Sequence, residues 1–227
     1  MLHEKILDLK AELIQYSDLV ECMISNGMNG LFKKDNALLE KVINVDEKKA
    51  NEKEILLDEM STNIIAQYQP AAKELRTVLM LLKMNNDLER LGDHAVNISQ
   101  SALALIEKPQ IKPYVDLPKM FEIVLSMFKD SIKSLINEDA RLALEVCGRD
   151  DEVDNLKSKI TEELVGLMSK DCSTVERAIN ILRIISNLER IADLSTNICE
   201  DVMYLVEGRV IKHHLEDNPW NRVPPCF

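Results

Sequence analysis

The stretch Asn86-Asp-Leu-Glu-Arg-Leu-Gly-Asp-His-Ala-Val-Asn-Ile-Ser99 returns one hundred positions later as Ser186-Asn-Leu-Glu-Arg-Ile-Ala-Asp-Leu-Ser-Thr-Asn-Ile-Cys199. Leu88/Leu188, Glu89/Glu189, Arg90/Arg190, Asp93/Asp193, Asn97/Asn197 and Ile98/Ile198 are identical. A weaker pair, Val42-Ile-Asn-Val-Asp46-Glu47 and Val146-Cys-Gly-Arg-Asp150-Asp151, extends the match upstream. Self-similarity over so long a period marks a duplicated structural unit. Within each copy the apolar residues recur every three or four positions, as on one face of a helix. Met84, Leu88, Leu91, Ala95, Ile98, Ala102 and Leu105 form one seam, and Ile184, Leu188, Ile191, Ser195, Ile198, Val202 and Leu205 its counterpart. These seams are expected to bury against a bundle.

Working outward, the same periodicity covers nearly the whole chain. Ile6, Leu9, Leu13, Tyr16, Val20 and Met23 make a heptad-like first helix, expected to break at Asn26-Gly27-Met-Asn-Gly30. A second helix is expected over 32–66. A third is expected to start at Gln69-Pro70, with proline in its first turn, and to end near Glu107. Residues 108–118 hold three of the seven prolines and read as a linker. Helices over 118–136, 138–169 and 174–207 follow, the last opened by a capping box, Ser173-Thr-Val-Glu176. Leu117, Phe121, Val124 and Phe128 form a core stripe. The fold class is therefore all-α, a tandem duplication of an antiparallel three-helix bundle with six long helices. The first bundle spans 1–110. The second spans 111–227 and ends in an irregular Pro-rich tail.

Composition agrees. Six glycines and seven prolines in 227 residues are about half the usual share and disfavour barrels, sandwiches and Gly-rich nucleotide loops. With 4% aromatics, the core must be aliphatic. A formal net charge of -11 repels phosphate backbones and argues against nucleic-acid binding. The charged start offers no secretory h-region, and no stretch is apolar enough for direct membrane insertion. Five scattered cysteines without a CxxC pattern read as reduced cytosolic thiols.

Glu89, Asp93 and Asn97 stand four residues apart on a helix face away from the seam, and Glu189, Asp193 and Asn197 repeat them. Carboxylates at i and i+4 repel, yet the pair occurs in both halves. A coordinated cation converts that repulsion into ligation, and hard cations such as iron(III), Mg²⁺ or Mn²⁺ prefer carboxylate oxygens. Asp150 and Asp154 on the preceding helix complete a four-carboxylate set with Glu189 and Asp193. The first half offers Asp46 with Glu89 and Asp93, but Ala50 stands where a second aspartate is expected, with Glu47 as a substitute. The second set is expected to bind metal more tightly.

The doubled Leu-Glu-Arg-[Leu/Ile]-[Gly/Ala]-Asp-x-x-x-Asn-Ile motif, the Asp46 and Asp150 segments and the Gln69-Pro70…Leu75-Arg76 helix opening resemble the PhoU family of phosphate-uptake regulators. The resemblance covers nearly the whole chain. It implies two similar bundles, often a homodimer, with metal clusters, iron first among candidates, on Asp150/Asp154 with Glu189/Asp193 and on Asp46 with Glu89/Asp93. It further implies a cytoplasmic negative regulator linking a phosphate ABC transporter to a sensor histidine kinase, with no catalytic activity.

Rival readings are weaker. Di-iron oxidases of this shape need Glu-x-x-His pairs, and none occurs. Walker, Gly-x-Ser-x-Gly and His-Glu-x-x-His signatures are absent. A metal-free helical adaptor, or a metal-binding bundle unrelated to phosphate, is the alternative. His213, His214 and Trp220 read as a tail that anchors to the bundle or binds stray metal.

Overall fold

The computed structural model describes residues 1–207. The tail with His213, His214, Trp220 and Cys226 lies outside the described residues.

Helix α1 (Leu2–Lys33) runs straight through the expected break at Asn26–Gly30. The glycines there serve packing. A Cβ on Gly30 would lie 2.4 Å from Leu39 Cδ2, and one on Gly27 would lie 2.8 Å from Ser99 Oγ. Helix α1 stops at Lys34, which takes the left-handed conformation at φ 54°. The second helical rod starts at residue 36, not 32, because Asp35 caps it by accepting from Leu38 N at 3.2 Å. It comprises α2 (Asn36–Lys41), a π-helical segment (Val42–Asp46) and α3 (Glu47–Tyr68). Gln69, at φ 47°, ends it. Pro70 thus precedes the third helix, α4 (Ala72–Ile106), and does not occupy its first turn.

The second half repeats the plan with α5 (Asp116–Asn137), α6 (Ala140–Cys147), α7 (Asp150–Lys170) and α8 (Val175–Glu207). The helix expected over 138–169 breaks at Gly148–Arg149, where the Arg149 guanidinium donates to Asp130 Oδ2 at 2.6 Å and Ser126 Oγ at 3.3 Å on α5. The expected capping box does not form. Asp171 accepts from Ser173 N across a short 3-10 turn, and Glu176 pairs with Lys108. Among the described residues there is no strand, and six helical rods make two three-helix bundles.

Every seam residue named above on α1, α4, α5 and α8 is buried. Helix α4 packs along α8, and α1 along α5, so the two bundles share one continuous core. Lys83–Asp201 and His94–Asn187 fix α4 and α8 as antiparallel, since the numbers rise on one while they fall on the other. Ion pairs Lys129–Glu21 (2.9 Å) and Lys10–Glu138 (3.6 Å) bridge α5 and its following turn to α1. The Pro-rich segment is pinned, not loose: Arg177 Nη1 donates to Pro109 O at 2.9 Å, Lys112 pairs with Glu163, and the Tyr114 ring packs tilted against Phe32 with centroids 6.3 Å apart. Cys22, Cys147, Cys172 and Cys199 are free thiols. No described helix is long and apolar enough to cross a membrane.

Candidate metal-binding faces

The break at Gly148–Arg149 starts a new helix at Asp150, so α7 opens with Asp150, Asp151 and Glu152 in its first turn. Helix N-termini favour such charges. The α7 start lies near the middle of α8, since Asp150 feels the charges of Glu189 and Asp193. Asp150 is pushed up to about 6 by burial first, then by the charges of Asp193, Asp154, Asp151 and Glu189. Asp193 is raised by burial, then by Glu189 and Asp154. The four expected residues of the second half therefore share one face and repel one another. Each offers only hard oxygen donors, which suits an oxygen-preferring cation.

Sequence reasoning missed Lys157. One turn beyond Asp154, its Nζ sits 2.8 Å from Glu189 Oε1 and supplies a positive charge to the cluster. Among the described residues, no three or more His, Cys, Asp or Glu side chains are posed to hold one metal ion.

The first half is built differently, because the π segment adds one residue. Buried positions before it match the second half at an offset of 104, as Leu39/Ala143 and Val42/Val146 do. After it the offset is 103, as for Ala50/Val153, Leu57/Ile160 and Ser61/Leu164. This register sets Glu47 against Asp150, Asn51 against Asp154 and Glu54 against Lys157. Ala50 is interior, with its Cβ 3.9 Å from where a Cβ on Gly92 would stand. Asp46 is buried, 3.3 Å from Lys41 Nζ and 4.0 Å from Lys49 Nζ.

Glu89 is raised by burial, then by Asp93 and Glu54. Beneath these three acids lies Tyr16, fully buried, its hydroxyl without a hydrogen-bond partner among the described residues. Burial first, then Glu54, Glu89 and Asp93, pushes that phenol up. Sequence reasoning missed Glu54 and read Tyr16 only as a seam residue. The repeat gave no signal for Glu54, because its counterpart is Lys157. Asn97 leaves this group and faces α8.

Two stacked copies of a three-helix unit, each with an acidic outer face, define a tandem helical-repeat protein. The repeat has a family: the model described as PhoU domain matches residues 13–102 and again 117–202, and the chain belongs to that family. It is 36% identical over 217 residues to the phosphate-specific transport system accessory protein PhoU homolog of Aquifex aeolicus, covering 95% of this chain and 98% of that one. The crystal structure of PhoU from Pseudomonas aeruginosa superposes at a TM-score of 0.89 with 32% identity, covering 92% of this chain and 100% of the other. That of the phosphate transport system regulatory protein PhoU from Streptococcus pneumoniae does so at 0.86 with 25% identity, covering 94% and 100%.

Proposed function

We propose that this chain is the accessory regulator of a phosphate-specific transport system, acting in the cytoplasm as a negative regulator of phosphate uptake and of the starvation response. The observation that carries this reading is the alignment, over 95% of the chain, to a relative bearing that name, with both repeats matched by the same family model. The protein works by contact, as a homodimer, between a phosphate ABC transporter and a sensor histidine kinase, and it performs no chemical step. A promoter reporter for phosphate starvation, read in phosphate-replete cells, tests it. Deleting the gene is expected to switch the reporter on, and restoring the chain to silence it. A reporter unmoved by deletion overturns the reading.

The acidic faces are assigned to an oxygen-preferring metal ion, iron before Mg²⁺ or Mn²⁺. Asp150, Asp154, Glu189 and Asp193 would hold it in the second half. Mutual repulsion of these groups supports the assignment, because a cation relieves it. Glu89 and Asp93 with Glu54 serve the first half, because Glu54 acts on Glu89 while Asp46 is paired with Lys41 and Lys49. A second reading, a metal-free adaptor, is favoured by the Lys157–Glu189 ion pair, which already neutralises one of the four acids. Metal content after purification without chelators separates the two. A parent that purifies without metal favours the adaptor. Alanine at all four second-half carboxylates should remove that face's metal, and unchanged content would overturn these four as its ligands.

A further inference from the structure

The offset of one hundred residues maps α4 onto α8, and the two helices cross antiparallel. Each end of their crossing therefore repeats the other. At one end two cations face two carboxylates: Lys83 Nζ lies 2.5 Å from Asp201 Oδ1, and Arg90 Nη1 lies 3.6 Å from Asp87 Oδ1. Both aspartates are buried. At the opposite end the same operation places Arg183 for Lys83 and Arg190 for Arg90. The cations are kept and the carboxylates are not. Asn187 stands for Asp87, and Ser101 for Asp201. Neither Arg183 nor Arg190 has a carboxylate within 4.0 Å among the described residues, although the Arg190 charge reaches Asp193 on the acidic face.

These four residues line a cleft of about 490 Å³ between α4 and α8, with Asn97 and Gln100 beside them. No Asp or Glu lines it, in a chain with 39 acids and 28 bases. Its volume lies in the range of small-molecule sites, about 300–1,000 Å³. Its walls are polar, with Ala104 as the one apolar residue, so an apolar ligand gains little there. Guanidinium groups stay charged and grip tetrahedral oxyanions in a two-pronged manner. Asn187 is held in place: His94 Nδ1–H donates to its Oδ1 at 2.8 Å, and its Nδ2 donates to Arg183 O at 2.7 Å. Ser101, itself buried, adds a hydroxyl donor.

We propose that this cleft binds a small dianionic oxyanion, either free phosphate or the phosphoryl group of a small molecule. Arg183 and Arg190 hold it where the opposite end uses its own carboxylates. The test is equilibrium dialysis of the chelator-treated full chain against labelled orthophosphate, with glycerol phosphate and tripolyphosphate as competitors. Chelation keeps a bridging cation on the acidic faces from capturing phosphate. One saturable equivalent per chain is expected. The double variant R183Q/R190Q should weaken binding by about tenfold or more, since charge-assisted bonds are the strong ones. The variant S101D/N187D copies the opposite end's internal neutralisation and should abolish binding while melting like the parent. Stronger competition by glycerol phosphate or tripolyphosphate than by orthophosphate assigns the phosphoryl group of a larger molecule. The reverse assigns the free ion. Equal binding by the parent and both variants, or no saturable binding of any of the three at millimolar concentration, overturns the proposal.

Discussion

Lys157 of α7 reaches across to Glu189 of α8 at 2.8 Å, in the midst of carboxylates that otherwise repel one another. It is an internal competitor for any cation there. Replacing it by Gln is expected to tighten metal binding on this face by about two- to fivefold, the scale of a partly exposed ion pair. Metal titration of parent and K157Q under one buffer checks this, and an unchanged affinity would show that the lysine does not compete.

Acid should act on this face through Asp150. Its folded pKa is about 6, against about 3.9 for a free carboxyl, so between those values the folded chain holds more protons than the unfolded one. The stability of the metal-free chain should therefore fall as pH rises from about 4 to about 6, and then level off. D150N should flatten this slope and raise stability at neutral pH by on the order of 1 kcal/mol, allowing for solvent screening. Metal affinity should drop as pH falls through about 6, because a proton and a cation compete for the same oxygens. Denaturant melts across pH read the first effect, and metal titrations the second.

Tyr16 carries a buried hydroxyl with no partner among the described residues, beneath Glu54, Glu89 and Asp93. Tyr16→Phe removes that unsatisfied group while keeping the ring. The metal-free variant should gain about 1 kcal/mol. A loss of stability in the same melt would mean that the hydroxyl is satisfied by a bound water or ion.

Glycine on α1 and glycine on α7 should respond oppositely to alanine. At Gly30 the added Cβ meets Leu39, itself fully buried and unable to yield, and a cost of about 1–3 kcal/mol is expected. At Gly166 nothing lies within 4 Å, so alanine should stabilise by about 0.5–1 kcal/mol through helix propensity. Thermal melts of both variants test the pair. Stabilisation by G30A would contradict the close α1–α2 approach.

The helical class, the duplication and the core faces follow from local periodicity, and every seam position read from the sequence is buried. The second-half acids were legible for the same reason: i, i+4 spacing fixes a shared face whatever the surroundings. The errors fall where a neighbour decides. Gly27 and Gly30 read as a break, because local propensity counts glycine as a helix breaker. In the folded chain they admit Ser99 and Leu39. Gly148–Arg149 breaks a continuous apolar pattern because Arg149 is drawn to Asp130 on another helix.

What the sequence by itself determined is therefore everything that depends on spacing along one helix: six rods, their buried seams, and the carboxylate pairs Glu89/Asp93, Asp150/Asp154 and Glu189/Asp193. Only the tertiary structure decided which groups meet across helices. A single extra residue in the π segment took Asp46 out of register with Asp150, and packing set Glu54 beside Glu89. Packing put Lys157 among the second-half acids. The antiparallel crossing of α4 and α8 brought Arg183, Arg190 and Ser101 to one cleft. The physical reason is that charge and hydrogen-bond partners are chosen by distances of a few ångströms, which a residue offset or a helix crossing changes and a pattern along one chain does not record.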